Sequence, residues 1–437
     1  MTALHQLSAC DAAAQLAQST LRAEDLVRAC IAHIDAREPE VQAWAYLQRD
    51  VAIAHAKQLD AGTHRGLLHG LPIGVKDLLA TSDMPATYGS RIYANYRPGF
   101  DAACVAVARQ QGAVVLGKTV STEFATFQPN QTRNPLRLTH TPGGSSSGSA
   151  AAVADSMVPL AIGTQTAGSL IRPASYCGIV AFKPSFGCVA RAGAKLLSDT
   201  LDTVGTMARN VPDAALFAAA MSGRHAWLVK PLGDLLSRPL RVGICRTYEW
   251  GQAGDDTQNI FATAEQALKK AHALDVKDVQ LPTDFQTLAQ AQTQVQLFEQ
   301  AHNLAHEHVA HFAKLSPRLQ GILKSGKDIT HAQYDAAQAH IAKCRVQLDA
   351  VFQDVDILLA PSAQGEAPEG LDNTGDPVFC RIWTVLHTPA IHIPVGLGRS
   401  GLPVGLQVVA HIGNDALLTT AANALHQMIG NDAGLIF

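Results

Sequence analysis

The chain has 437 residues, 47% of them hydrophobic and 16% charged, with a formal net charge of −3. That apolar share is enough for a sizeable core and excludes a disordered chain. The near-neutral balance offers no electrostatic footprint for nucleic acid or an anionic membrane surface, which leaves small-molecule chemistry or a protein partner.

The first residues, "MTALHQLSACDAAAQLAQS", lack a basic segment followed by an apolar run and do not read as a secretory signal. Residues 5–59 read as helices, because "CDAAAQLAQS" and "AEDLVRACIAHIDA" place apolar residues three and four apart, with Ser19 or Thr20 as a cap for the second helix. From about 70 the texture changes. "LPIGVKDLL" is a short β-branched run ending in a lysine, and "GAVVLGKT" (112–119) is an apolar strand preceded by the helical "AACVAVARQQ". "VPLAIGTQT" (158–166) and "GIVAFKPSFG" (178–187) continue the strands; 213–223 reads as a helix and "LRVGIC" (240–245) as a strand. Residues 257–352 are mostly helical. "DILLAPSA" (356–363), "PAIHIPVG" (389–396) and "GLPVGLQVVA" (401–410) return to strand, and a helix over 414–428 closes the chain.

This alternation predicts an α/β fold with a covered sheet. No repeat or low-complexity linker marks a boundary, so residues 1–437 are expected to form a single large domain. Its parts are N-terminal helices (1–60), a core (70–212), a helical region (250–350) and C-terminal strands with a helix (355–437). The longest apolar stretch, around 150–163, is broken by Asp155 and Pro159 and is too short to span a bilayer. The eight cysteines form no C-x-x-C pair and read as isolated thiols of a reducing compartment, so the expected address is the cytoplasm.

Chemistry is sought first in "TPGGSSSGSAAAVA" (141–154), a segment with almost nothing to bury. Gly144–Gly148 matches G-x-S-x-G with Ser146 as nucleophile, which would make the chain an esterase. That elbow needs a strand directly before it, and "RNPLRLTHTPGG" carries two prolines and no β-branched run. A phosphate-binding P-loop would need G-K-[ST], which is absent. A serine nucleophile needs a base. The histidines crowd the helical region instead; His302 and His306, in "HNLAHEHVAH", are four apart and could share a helix face, and read best as a solvated surface. Lys76 is the other candidate, because a desolvated lysine can be neutral and act as base; its plainer reading is a strand-end lysine reaching water beside Asp77. The turn "GTQTAGSLIRPASYCG" (163–178) offers the successive backbone amides of Thr166, Ala167, Gly168 and Ser169, as an oxyanion hole would.

In order and spacing, "GVKD", "GGSSSGSAAAVA", "GTQTAGSLIRPA", "CGIVAFKPSFG" and "LDTVGTMAR" resemble the core of the amidase signature family, and "TPAIHIPVG…GLPVGLQ" fits its tail. The resemblance is strong over about 70–212 and again over about 355–428. It implies a mixed sheet flanked by helices on both faces. It also implies a catalytic Ser-cisSer-Lys triad: Ser169 as nucleophile, Ser145 (24 residues earlier) as bridging serine, and Lys76 as base. The Gly144–Ser145 peptide is expected to be cis, with Gly144 and Ser146 supporting the triad. Thr166–Ser169 would stabilise the oxyanion, and no metal or organic cofactor is implied. Homodimers are common in the family.

The spelling departs from the family pattern at Gln165 and Ala167, where an acid and a glycine are usual, and Arg172 stands three residues after the nucleophile rather than two. That spelling is similar to the malonamidase branch. There the matching arginine holds a substrate carboxylate; the alternative is an arginine tying the loop to the fold. Gln165 and Arg172 are therefore the substrate-binding candidates, and a small, carboxylate-bearing amide is the expected substrate. A biuret, carbamoyl-amide or urethane hydrolase fits the residues as well. The spelling argues against the first chain of the tRNA-dependent amidotransferase, while a subunit dependent on a partner chain remains a separate reading.

Overall fold

The N-terminal helices form in the computed structural model, which describes residues 3–433. Helix α1 (Ala9–Ala17) is capped by Ser8, whose Oγ accepts the Asp11 amide at 3.0 Å. Helix α2 (Ala23–Val41) uses neither Ser19 nor Thr20. Its free amides at Ala23 and Glu24 are instead met at 2.7 and 3.0 Å by the carboxylate of Asp60, the last residue of α3 (Arg49–Asp60). A neighbouring helix thus supplies the acceptor that a local cap would.

Among the described residues eleven strands form one continuous mixed sheet: β1 (Trp44–Leu47), β2 (Pro72–Lys76), β3 (Val114–Thr119), β4 (Leu160–Gln165), β5 (Val180–Lys183), β6 (Thr203–Ala208), β7 (Leu240–Ile244), β8 (Leu274–Asp278), β9 (Ile357–Pro361), β10 (Ala390–Leu397) and β11 (Pro403–Ala410). Across the sheet the order is β1-β3-β2-β4-β6-β5-β10-β11-β9-β7-β8. β2 runs parallel to β3 and β4, and β7 runs parallel to β8 and β9; the centre is antiparallel. Every residue of β2–β6, β9 and β11 is buried. Successive side chains on a strand face opposite ways, so burial of all of them means that both faces are covered.

The remaining helices are α4 (Ala103–Gln110), α5 (Ser147–Ala154), α6 (Ile171–Cys177), α7 (Val211–Ser222), α8 (Asp255–Lys270), α9 (Leu288–Asn303), α10 (Ala305–Ala310), α11 (Pro317–Lys327), α12 (His331–Val351), α13 (Val378–Val385) and α14 (Asp415–Ala433). α2, α3, α5, α6, α7, α8 and α14 pack directly on the strands, while α10–α13 pack on α9. One domain with a helix-flanked mixed sheet is the architecture expected. Three strands escaped the sequence. β1 is a four-residue edge strand between helices, β8 is a half-polar edge strand inside the region read as helical, and β6 is buried on both faces and so shows no alternation.

No strand precedes the serine loop; residues 134–140 hold only isolated bridges, so the strand–turn–helix context of an elbow is missing. His302 lies in the last turn of α9 while His306 sits in α10, with Leu304 breaking the helix between them. The shared helix face is therefore not formed, and among the described residues no group of three or more His, Cys, Asp or Glu could hold a metal ion. All eight cysteines are free thiols, and no helix among the described residues is long and apolar enough to cross a membrane.

Candidate active site

Small residues let three segments meet in the middle of the sheet. A Cβ at Gly148 would lie 2.2 Å from the Ala43 carbonyl oxygen and 2.3 Å from the Val120 nitrogen, so only glycine allows α5 this close to the end of β3. The serines around it are then used as ties. Ser146 Oγ donates to the Thr164 carbonyl at 3.2 Å and accepts the Thr164 amide at 3.3 Å. Ser149 Oγ donates to Ile162 O at 3.0 Å. Ser147 Oγ reaches Val120 O at 3.3 Å. The hydroxyl of Ser146 is thus spent on β4, in a residue with no exposed surface.

Ser145 is different. Its hydroxyl accepts a hydrogen bond from Lys76 Nζ at 2.7 Å, and its peptide bond to Gly144 is cis, the single cis peptide among the described residues. Gly143 before it has φ +79°, where a Cβ would lie 2.8 Å from Pro173 Cα. Arg172 holds the loop from below. Its guanidinium donates to Gly144 O (2.7 Å), Gly375 O (2.8 Å) and Thr374 Oγ1 (3.2 Å), while its Nε has no partner. It stitches the serine loop and the 374–377 segment to α6, and among the described residues it pairs with no carboxylate.

Lys76 ends β2 fully buried, not at water. Its neighbour Asp77 is taken by Lys118 of β3, with Oδ1 3.2 Å from Lys118 Nζ, and by the Thr87 amide and hydroxyl. Lys76 therefore has no ion pair among the described residues; Nζ bonds only Ser145 and Thr164 Oγ1, the latter at 2.8 Å. Burial lowers its pKa from 10.5 to about 7, against a smaller pull upward from the charge of Asp202. Asp202, at the start of β6, is itself buried. Desolvation pushes it up to about 6 although Thr166 Oγ1 and the Leu197 and Ser198 amides bond its carboxylate.

Ser169 lies between β4 and α6, 8% exposed, and its hydroxyl makes no hydrogen bond among the described residues, to Ser145 or to any other group. Leu170 fixes its place by filling the gap over Gly163 and Gly205. Cβ atoms there would lie 2.6 and 2.5 Å from the two Leu170 methyl carbons. Just before Ser169, the amides of Thr166, Ala167, Gly168 and Ser169 have no protein acceptor among the described residues. Those of Leu170 and Ile171 are taken by Gln165 Oε1 at 2.9 and 3.1 Å. Gln165 is 1% exposed, and its Nε2 donates to Thr384 Oγ1 at 2.9 Å, so both ends of this substrate-binding candidate are occupied by the protein itself.

The structure thus brings Lys76, Ser145, Ser146, Thr164 and the 165–169 turn together, and assigns Gln165 and Arg172 to internal ties. The sequence reading missed Thr164, Asp202 and Lys118. Asp202 stood inside the quoted "LDTVGTMAR", but a lone acid just before a strand signals nothing without its fold.

A protein family described as Amidase matches residues 25–419. The chain is 33% identical to the A-type chain of the Glutamyl-tRNA(Gln) amidotransferase of Oleidesulfovibrio alaskensis over 98% of its own length and 99% of that protein's. It is 32% identical to the corresponding chain of Anaeromyxobacter sp. (strain K), over 96% of each. Among solved structures, a crystal structure of an amidase superposes with a TM-score of 0.89 at 27% identity, over 97% of this chain and 100% of that one. The native peptide amidase of Stenotrophomonas maltophilia superposes with a TM-score of 0.82 at 28% identity over 97% of each. The chain belongs to the amidase family and is an enzyme of carbon–nitrogen bond hydrolysis.

Proposed function

We propose that the protein hydrolyses the amide bond of a small molecule through an acyl-enzyme on Ser169, with Ser145 as proton relay and Lys76 as base. The observation that carries this is a buried, unpaired lysine whose Nζ lies 2.7 Å from the Ser145 hydroxyl. A neutral amine there can take the Ser145 proton as Ser145 takes that of Ser169. Ser169 Oγ then bonds to the amide carbon, and the carbonyl oxygen gains negative charge against the amides of residues 166–169. The C–N bond breaks as Ser145 returns a proton to the leaving amine. Water, deprotonated by the same route, attacks the ester, and the carboxylic acid leaves with Ser169 reprotonated.

The test is labelling with a fluorophosphonate, read by intact mass and peptide mapping. A single adduct on Ser169, lost in Lys76→Ala, is the expected result; removing a general base typically costs about 10²- to 10⁴-fold in rate. An adduct on Ser146 would overturn the assignment.

A carboxylate-bearing amide is the substrate class we favour. A cleft of about 460 Å³ opens beside the turn, lined by Arg318, Arg381, Gln364, Asp376 and Pro377. Pro377 Cβ would lie 2.7 Å from a Cβ on Gly168, so the cleft adjoins the proposed oxyanion site. Each arginine spends its Nη1 on the protein, Arg318 on the Phe127 and Asp372 carbonyls and Arg381 on Gln292 and Thr293; neither has an ion-pair partner or an Nη2 hydrogen bond among the described residues, and guanidinium groups suit carboxylates. Arg172, committed to backbone oxygens, is proposed as the tie and not the carboxylate holder.

A second reading, a chain that works only with partner chains, is favoured by the overall similarity to the amidotransferase chains. That similarity weighs against setting such proteins aside on the spelling around Arg172 alone.

A further inference from the structure

The carbonyl groups of the turn are held as firmly as its amides are left free. Thr166 O accepts from Gln292 Nε2 of α9 at 3.1 Å, and Ala167 O accepts from Thr384 Oγ1 of α13 at 2.7 Å. Both peptides that follow these carbonyls are trans. In a trans peptide the C=O and the N–H point in opposite directions. Pinning Thr166 O therefore aims the Ala167 amide away from α9, and pinning Ala167 O aims the Gly168 amide away from α13. The two helices pack against each other, so both carbonyls are drawn to one side of the turn and both amides are turned to the other.

The two donors are themselves locked. Gln292 Oε1 accepts from Arg381 Nη1 at 2.7 Å, which fixes its amide orientation, and its Nε2 also donates to Gln296 Oε1 at 3.0 Å. Thr384 Oγ1 accepts from Gln165 Nε2, which occupies a lone pair and leaves the hydroxyl proton for the carbonyls of Ala167 and, at 3.1 Å, Cys380. Gln292 and Thr384 are 0% and 1% exposed. Neither group reaches water, so each donor's choice is limited to these buried acceptors.

We propose that Gln292 and Thr384 are positioning residues that aim the Ala167 and Gly168 amides at the substrate's carbonyl oxygen, with Gln165 and Arg381 orienting them. The inference rests on the acyl-enzyme reading above. It assigns the helical region a part in the rate of the chemical step as well as in the pocket.

The experiment compares the wild type with Thr384→Val, Thr384→Ser and Gln292→Met on one small amide, with thermal melting to confirm folding. Losing one oxyanion donor costs about 10²- to 10³-fold, and a misaimed donor is expected to cost less. Thr384→Val and Gln292→Met should each lower kcat about 10- to 100-fold with KM changed less than about threefold, and Thr384→Ser should restore kcat. A trifluoromethyl ketone analogue of the amide, whose adduct places an oxyanion at the turn, should bind more weakly in step with kcat/KM, whereas the carboxylic acid product should bind as before. Should Thr384→Val not fold, Gln292→Met carries the same comparison. Wild-type kcat in the folded variants, equal losses in the Val and Ser variants, or a change in KM alone would each overturn the inference while the hydrolase reading stands. A wild type inert towards both amides and fluorophosphonate would bring down that reading and the inference with it.

Discussion

The role proposed for Lys76 depends on the charges kept from it. Asp77 follows it directly in the chain, yet it opens the turn after β2 and pairs with Lys118 of β3 instead. Burial then favours the neutral amine, and the charge of Asp202 opposes it. The base must be neutral to work, so kcat/KM is expected to rise with pH through an apparent pKa near 7. Asp202 stabilises the ammonium form, so Asp202→Asn should lower that pKa and move the limb to lower pH. A pH–rate profile of both proteins checks the sign; a limb that moves to higher pH would show that the carboxyl acts mainly by another route, such as its bond to Thr166.

At the scale of elements, Ser169, the proposed nucleophile, is held by packing more than by its own bonds. Leu170 fills the space left by two facing glycines, Gly163 of β4 and Gly205 of β6, which are register partners. Leu170→Ala should leave a cavity between strand and helix and cost about 2–5 kcal/mol, measured by denaturant unfolding. Activity per folded molecule should fall too, because Ser169 is the adjacent residue. Gly205→Ala should be at least as harmful, since a Cβ would lie 2.3 Å from Phe182 O, a backbone atom of the neighbouring strand that cannot swing aside. Serine and glycine do the corresponding work in the loop, where small hydroxyls tie α5 to β3 and β4 at distances that larger side chains would prevent.

At the scale of the molecule, the question is whether the chain works alone. The proposed base, relay and nucleophile, Lys76, Ser145 and Ser169, all belong to this one chain and lie on its central sheet and the loops beside it. The purified protein is therefore expected to hydrolyse a small amide without any partner. Turnover that appears only after addition of a partner chain would favour the partner-dependent reading. Sedimentation of the purified protein, run alongside, tells whether that single active species is a monomer or a pair.

What the sequence determined by itself was local. Short apolar runs located eight of the eleven strands among the described residues, because strands covered on both faces are mostly apolar. The loop and turn motifs pointed to Lys76, Ser145 and Ser169 through their spelling alone. Tertiary structure decided which neighbours those residues acquire. That Asp77 answers to Lys118, that Asp60 caps a helix 37 positions before it, and that Gln292 and Thr384 grip a turn more than 100 residues away are contacts across large sequence separations. A single sequence carries no local signal for them, because a buried polar side chain is chosen by the partner it meets in space. The same holds for Gln165 and for Arg172, whose spelling left a carboxylate contact and a structural tie both open: the carbonyls and amides they bond are supplied only by the fold.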